Sequence, residues 1–131
     1  MSVHIETIPH KKHRYETVGD YWWSDDQKDE GTLFIRVSKM SDWRYEFLVA
    51  VHEMVEAMLC KIAGVRERDI KAFDENFERE RADGFHAGEE PGADPKAPYR
   101  KQHMFAECIE RMLAVFLDVQ WDVYDREVMG L

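Results

Sequence analysis

The apolar positions follow two periods. From Tyr15 to Trp23 the chain is rich in β-formers (Thr17, Val18, Tyr21, Trp22, Trp23), and Gly19-Asp20 interrupts it as a bulge or bend would. From Thr32 to Ser38 it alternates, with Leu33, Ile35 and Val37 on one face and Phe34 and Arg36 on the other. The two read as a β-hairpin over 14–38, joined by the polar, turn-like stretch Ser24 to Gly31. Residues 1–13 lack such a pattern and read as a loosely ordered tail. Beyond Ser38 the period changes to that of a helix. Residues 43–63 carry Phe47, Leu48, Val51, Val55, Met58, Leu59 and Ile62 at helical spacing, with Ser41 or Asp42 as cap and Gly64 as terminator. A second helix is predicted over 66–82, with Ile70, Phe73 and Phe77 inward. A third is predicted over 98–118, with Ile109, Leu113, Phe116 and Leu117 apolar, and a short last one over Trp121 to Val128. Between the second and third, residues 83–98 hold three Gly and three Pro and form a long acidic loop.

This pattern predicts one α+β domain over residues 1–131, an N-terminal β-hairpin packed on three to four helices. The chain is long enough to bury a sizeable core. Its formal charge of −9 repels phosphate backbones, which argues against nucleic-acid binding. Met1 to Pro9 has no continuous apolar run, and no stretch approaches 18 apolar residues, so neither a signal peptide nor a membrane span is expected and the cytoplasm is the expected compartment. Cys60 and Cys108 fall in helical stretches without metal-type spacing and read as two reduced, buried thiols.

The chemistry concentrates on two helices. On the first, His52 and Glu56 are one turn apart on the apolar face, and Glu53 lies about 100° round, on the flank. On the third, His103 and Glu107 repeat the spacing, and Glu110 follows near the same face. A single His-x-x-x-Glu pair is commonplace on a helix surface. Two on apolar faces pose a burial problem with two solutions. Each His can be protonated and pair with its Glu. Alternatively, neutral imidazoles and ionised carboxylates can surround a divalent cation, where two His and two carboxylates around Zn²⁺ sum to zero charge. On the metal reading His52, Glu56 and His103 are ligands, and Glu107 is a fourth ligand or orients one.

Strand, capped turn and a helix reading His52-Glu53-x-x-Glu56 resemble the zincin metallopeptidase core over residues 32–63. In that family two His of a His-Glu-x-x-His helix bind zinc and the Glu between them is the general base. The resemblance implies a ligand role for His52, a catalytic role for Glu53 and a downstream third ligand, His103 or Glu107. Glu56 stands where the family has its second His. Val18-Gly19-Asp20-Tyr21-Trp22 and Ala97-Pro98-Tyr99 also resemble stretches of small phage and bacterial proteins, a likeness that supplies no activity. The expected function is a metal-dependent hydrolase, a peptidase by resemblance, with zinc the expected ion and loop 83–98 bordering the substrate cleft. The alternative is a non-catalytic, phage-type accessory or binding protein with a structural metal site or a buried His/Glu network. Asp74, Glu75 and Glu78 read as a solvated helix face, His4, His10, His13 and His86 as exposed, and Tyr99 as a core residue with a hydrogen bond or an oxyanion donor. Glu89, Glu90 and Asp94 lack the spacing of a calcium loop.

Overall fold

The computed structural model describes residues 1–24 and 31–131. The turn expected over Ser24 to Gly31 falls mostly outside them. The fold is mixed α+β: a three-stranded sheet packed on helices. Its strands are β1 (Ser2–Ile8), β2 (Gly19–Trp23) and β3 (Thr32–Ser38), in the order β1-β3-β2. Leu33, Ile35 and Val37 of β3 are fully buried, which is why the alternation is clean there: the central strand has one face on the core. β2 and β3 pair antiparallel with Tyr21 opposite Ile35, as the hairpin pattern requires.

The loosely ordered tail is a correction. Residues 2–8 are strand β1, parallel to β3 with Val3 opposite Leu33 and Ile5 opposite Ile35. Its alternation is weak because β1 is an edge strand whose side chains are largely exposed, so nothing demands apolar residues there. The first strand of the hairpin is also shorter than Tyr15 to Trp23, since Tyr15–Val18 lead into β2 without joining it.

Helix α1 (Trp43–Ala63) matches its expected bounds. The Asp42 carboxylate accepts the Arg44 N–H at 2.9 Å, and Gly64 closes the helix at φ 73°. Helices α2 (Glu67–Ala82), α3 (Arg100–Phe116) and α4 (Trp121–Met129) follow. α1 packs on the sheet and on α3. Arg44 donates to the Leu117 carbonyl, and His52 meets Glu110, so α1 and α3 run antiparallel. The apolar stripes were expected inward, but Phe47, Ile62 and Phe116 are exposed. The faces that meet carry Leu48, His52 and Glu56 on α1 and Ala106, Glu110 and Ala114 on α3. Small alanines let the two helices approach, and the polar pairs occupy the seam. Cys108 is exposed rather than buried, while Cys60 is buried as expected. Loop 83–98 is tied down: the Arg81 guanidinium donates to the His86 carbonyl at 2.9 Å, the His86 ring stacks on Phe77 at 4.0 Å, and Pro91–Ala93 form a 3-10 turn. Among the described residues no helix is long and apolar enough to cross a membrane.

Candidate metal centre

Antiparallel packing of α1 on α3 brings the two His/Glu pairs together. His52 Nε2, Glu56 Oε2 and His103 Nδ1 form a nearly equilateral triangle. The edges are 3.1 Å from His52 to Glu56, 3.1 Å from His52 to His103 and 3.0 Å from His103 to Glu56. These three residues form a group with metal-binding spacing. Bonds of about 2.1 Å to one ion, at interligand angles of roughly 95°, give edges of this length.

The outward ring nitrogens are equally committed. His52 Nδ1 lies 2.7 Å from Glu110 Oε1, and His103 Nε2 lies 3.1 Å from Glu90 Oε2. Glu110 in turn accepts the Tyr124 hydroxyl from α4. Glu56 Oε2 lies within reach of both inward nitrogens, so the carboxylate behind each imidazole would hold the proton outward and the lone pair inward only when a cation occupies the inner side. With both imidazoles in that tautomer, three lone-pair atoms face one point with no proton among them, an arrangement that calls for a cation.

Metal-free electrostatics supply that cation as protons. Burial opposes charge on His103, but hydrogen bonds to Glu56 and Glu90 push its pKa up to about 9. For His52 burial again opposes charge, and Glu110 and Glu56 override it, raising the pKa well above the ordinary value. Burial works against an ionised Glu56, yet its bonds to His103 and His52 hold its pKa below normal.

Glu53 behaves differently. It accepts no hydrogen bond among the described residues, and burial, then the charge of Glu56, pushes its pKa up to about 8. Its carboxylate lies against Gly19, where a Cβ would sit 2.5 Å from Oε1, so a larger residue there would displace the Glu53 side chain. The same holds at Gly92 for His103, whose Cγ would be 2.3 Å from an added Cβ. Glu53, Glu56, His52 and His103 all line a cleft of about 670 Å³, walled further by Tyr15, Asp74 and Tyr99, and by Glu89–Gly92 from the loop.

Of the residues expected at the site, His52, Glu56 and His103 converge and Glu53 flanks them. Glu107 does not join: its carboxylate is 3.8 Å from Arg111, and Glu110, one turn further on, stands behind His52 instead. Asp74 is not on a solvated face. It is buried, accepts the Tyr99 hydroxyl, and burial pushes its pKa up to about 7. Tyr99 is thereby the hydrogen-bonded core residue rather than an oxyanion donor. His10 and His13 are partly buried, both bonded to Ser38 Oγ, at 2.8 and 2.9 Å. Glu90 and Tyr124 escaped sequence reasoning because no local pattern links a loop residue or a terminal helix to His103 or Glu110. Gly19 was legible as a special backbone position, but not as a recess for Glu53. No family model, curated protein or solved structure matches the chain.

Proposed function

We propose that the cleft is the active site of a metal-dependent hydrolase, with His52, Glu56 and His103 holding a zinc ion and Glu53 as general base. The observation that supports this reading best is the convergence of three inward donor atoms, each imidazole backed by a carboxylate, with no fourth ligand in the group among the described residues. Three protein ligands leave coordination positions open, as catalysis requires and a structural site does not. An ion held by His52, Glu56 and His103 would supply Lewis acidity, polarising a carbonyl and lowering the pKa of water. Glu53, unbonded among the described residues and facing the same cleft, would in its ionised form, which a cation beside Glu56 favours, accept the proton of the attacking water and return it to the leaving group. Glu110 and Glu90 keep both imidazoles in the ligating tautomer. The composition of the ligand set, two His and one Glu, is that of zincin-type sites, with the carboxylate on α1 and the second His on α3. Peptide bonds are the substrate class that the zincin resemblance suggests.

The mutual bonds at 3.0–3.1 Å favour one rival, a protonated ion-pair network without metal. Elemental analysis of the purified protein, with turnover on a broad peptide library, separates the two. The hydrolase reading expects about one ion per chain and activity that disappears on chelation. Protein that takes up no ion even from excess zinc would leave only the network.

A further inference from the structure

On α1, Val51 directly precedes His52, and on α3, Ile109 directly precedes Glu110. Because His52 and Glu110 face each other across an antiparallel pair, both preceding residues fall on the same side of it. The opposite side, starting at Glu53, faces the cleft and Gly19 of the sheet. The first side is apolar along both helices. α1 contributes Phe47, Val51, Val55, Met58 and Ile62 at helical spacing, and α3 contributes Phe105, Ile109, Met112 and Phe116. The exposures are large: Ile62 85%, Phe105 55%, Met112 62%, Phe116 85%. The principal partners of α1 are α3 and strands β2 and β3, and those of α3 are α1 and the Pro91–Ala93 turn; on this face Val51, Val55, Met58 and Ile109 are half-buried, Met58 against the core, while Phe47, Ile62, Phe105, Met112 and Phe116 are exposed. An apolar area of this extent on a chain with 34% charged residues marks a contact surface.

We infer that this two-helix face is a homodimer interface, on which a second copy docks about a twofold axis to form a four-helix layer. Its size fits. α3 is 17 residues long, so a face two helices wide spans roughly 25 by 20 Å, or about 500 Å² in projection. Two such faces, with their side-chain relief, reach the range of about 1,200 Å² in which stable interfaces begin. Its charge fits as well. Two bodies of formal charge −9 repel each other, and the nine residues of the two stripes carry no charge at all, so this is where two copies approach at least cost. A twofold axis matches the face to itself, and no residue on it calls for a charged partner. The cleft lies on the other side of the helix pair and stays open in the dimer.

The test is sedimentation equilibrium on the full chain between 1 and 100 µM, beside a Phe105→Glu/Phe116→Glu double variant and a Phe85→Glu control on the loop. Wild type and control should sediment at twice 15.6 kDa. The double variant should dissociate with a Kd raised about a hundredfold or more. Since both residues are already exposed, its circular dichroism and melting as a monomer should match wild type diluted to the monomer. A wild type that stays monomeric at 100 µM overturns the inference. So does a dimer that survives the double substitution in a folded protein. A monomer that instead co-sediments with anionic or neutral phospholipid vesicles through Phe105 and Phe116 would assign the face to a lipid surface and overturn it equally.

Discussion

Glu110 Oε1 lies 2.7 Å from Nδ1 of His52, across 58 residues of sequence, while the other oxygen of Glu110 accepts the Tyr124 hydroxyl. One carboxylate thereby ties α4 and α3 to the imidazole that α1 presents. If His52 ligates through Nε2, Glu110 sets the proton on Nδ1 and raises the basicity of the ligating nitrogen. Glu110→Gln keeps the shape but weakens the pull on that proton. Zinc affinity, measured by competition with a chromophoric chelator, should fall about 10- to 100-fold. An unchanged affinity would remove Glu110 from the site's machinery.

Glu53 and His103 should separate under mutation. Glu53 faces the cleft beside the triangle but is not one of its corners. Glu53→Gln should keep the metal and, by relieving a buried carboxylate, melt no lower than wild type. Turnover should drop about 10²- to 10⁴-fold, the usual worth of a general base. His103→Ala removes a corner and should lose the metal and some stability together. Metal content, melting temperature and peptide hydrolysis on both variants decide the matter. Full metal occupancy in His103→Ala would sink the ligand assignment.

Gly92 offers a test that touches no polar atom. An added Cβ would sit 2.3 Å from the His103 ring, closer than the contact can stand, so ring or turn must shift. Gly92→Ala should cost about 1–3 kcal/mol by overpacking. It should also turn the Nδ1 of His103 away from the triangle and lower zinc affinity. Thermal melting and metal titration give both numbers. An alanine variant that binds zinc as wild type does would show that the turn, not the ligand, gives way.

Much of this centre was legible in the sequence because the helix period places side chains without knowledge of the fold. His52 with Glu56 and His103 with its own face follow from 3.6 residues per turn, and α1 was bounded by Asp42 and Gly64, whose capping roles are local. What could not be read depends on tertiary neighbours. Glu107 and Glu110 are both inward candidates on α3, and only the crossing of α3 over α1 decides that Glu110 meets His52. β1 hid because an edge strand needs no apolar face. The stripes with Phe47, Ile62 and Phe116 misled in the opposite sense: the helical period was correct, but burial was assumed from apolarity alone, and the helix pair turns its polar seam inward.

Acidity should act on the metal-free and metal-loaded forms in different ways. Without an ion, hydrogen bonds to Glu56 and Glu90 raise the pKa of His103 from 6.5 to about 9. A histidine whose folded pKa lies above its unfolded value contributes stability that is fully present below pH 6.5. That stability is lost as the pH rises through about 9. Asp74 acts with the same sign lower on the scale. Its folded pKa of about 7 exceeds the ordinary 3.8, so the protonated form favours the fold and its contribution fades from pH 4 to 7. The metal-free protein should therefore melt progressively lower between pH 5 and 9. A zinc ion replaces the protons on the inward nitrogens, so its binding should release roughly one to two protons near neutrality and tighten as the pH rises toward 9. The loaded protein should then keep its melting temperature over the upper part of that range, where the metal-free form loses it. Melting curves of chelated and zinc-loaded protein at pH 6, 7.5 and 9 would show the gap between the two forms widening with pH. Calorimetric zinc titrations in two buffers of different ionisation enthalpy would count the protons. A gap that narrows toward pH 9, or binding that releases no proton, would mean that zinc does not enter the triangle of His52, Glu56 and His103.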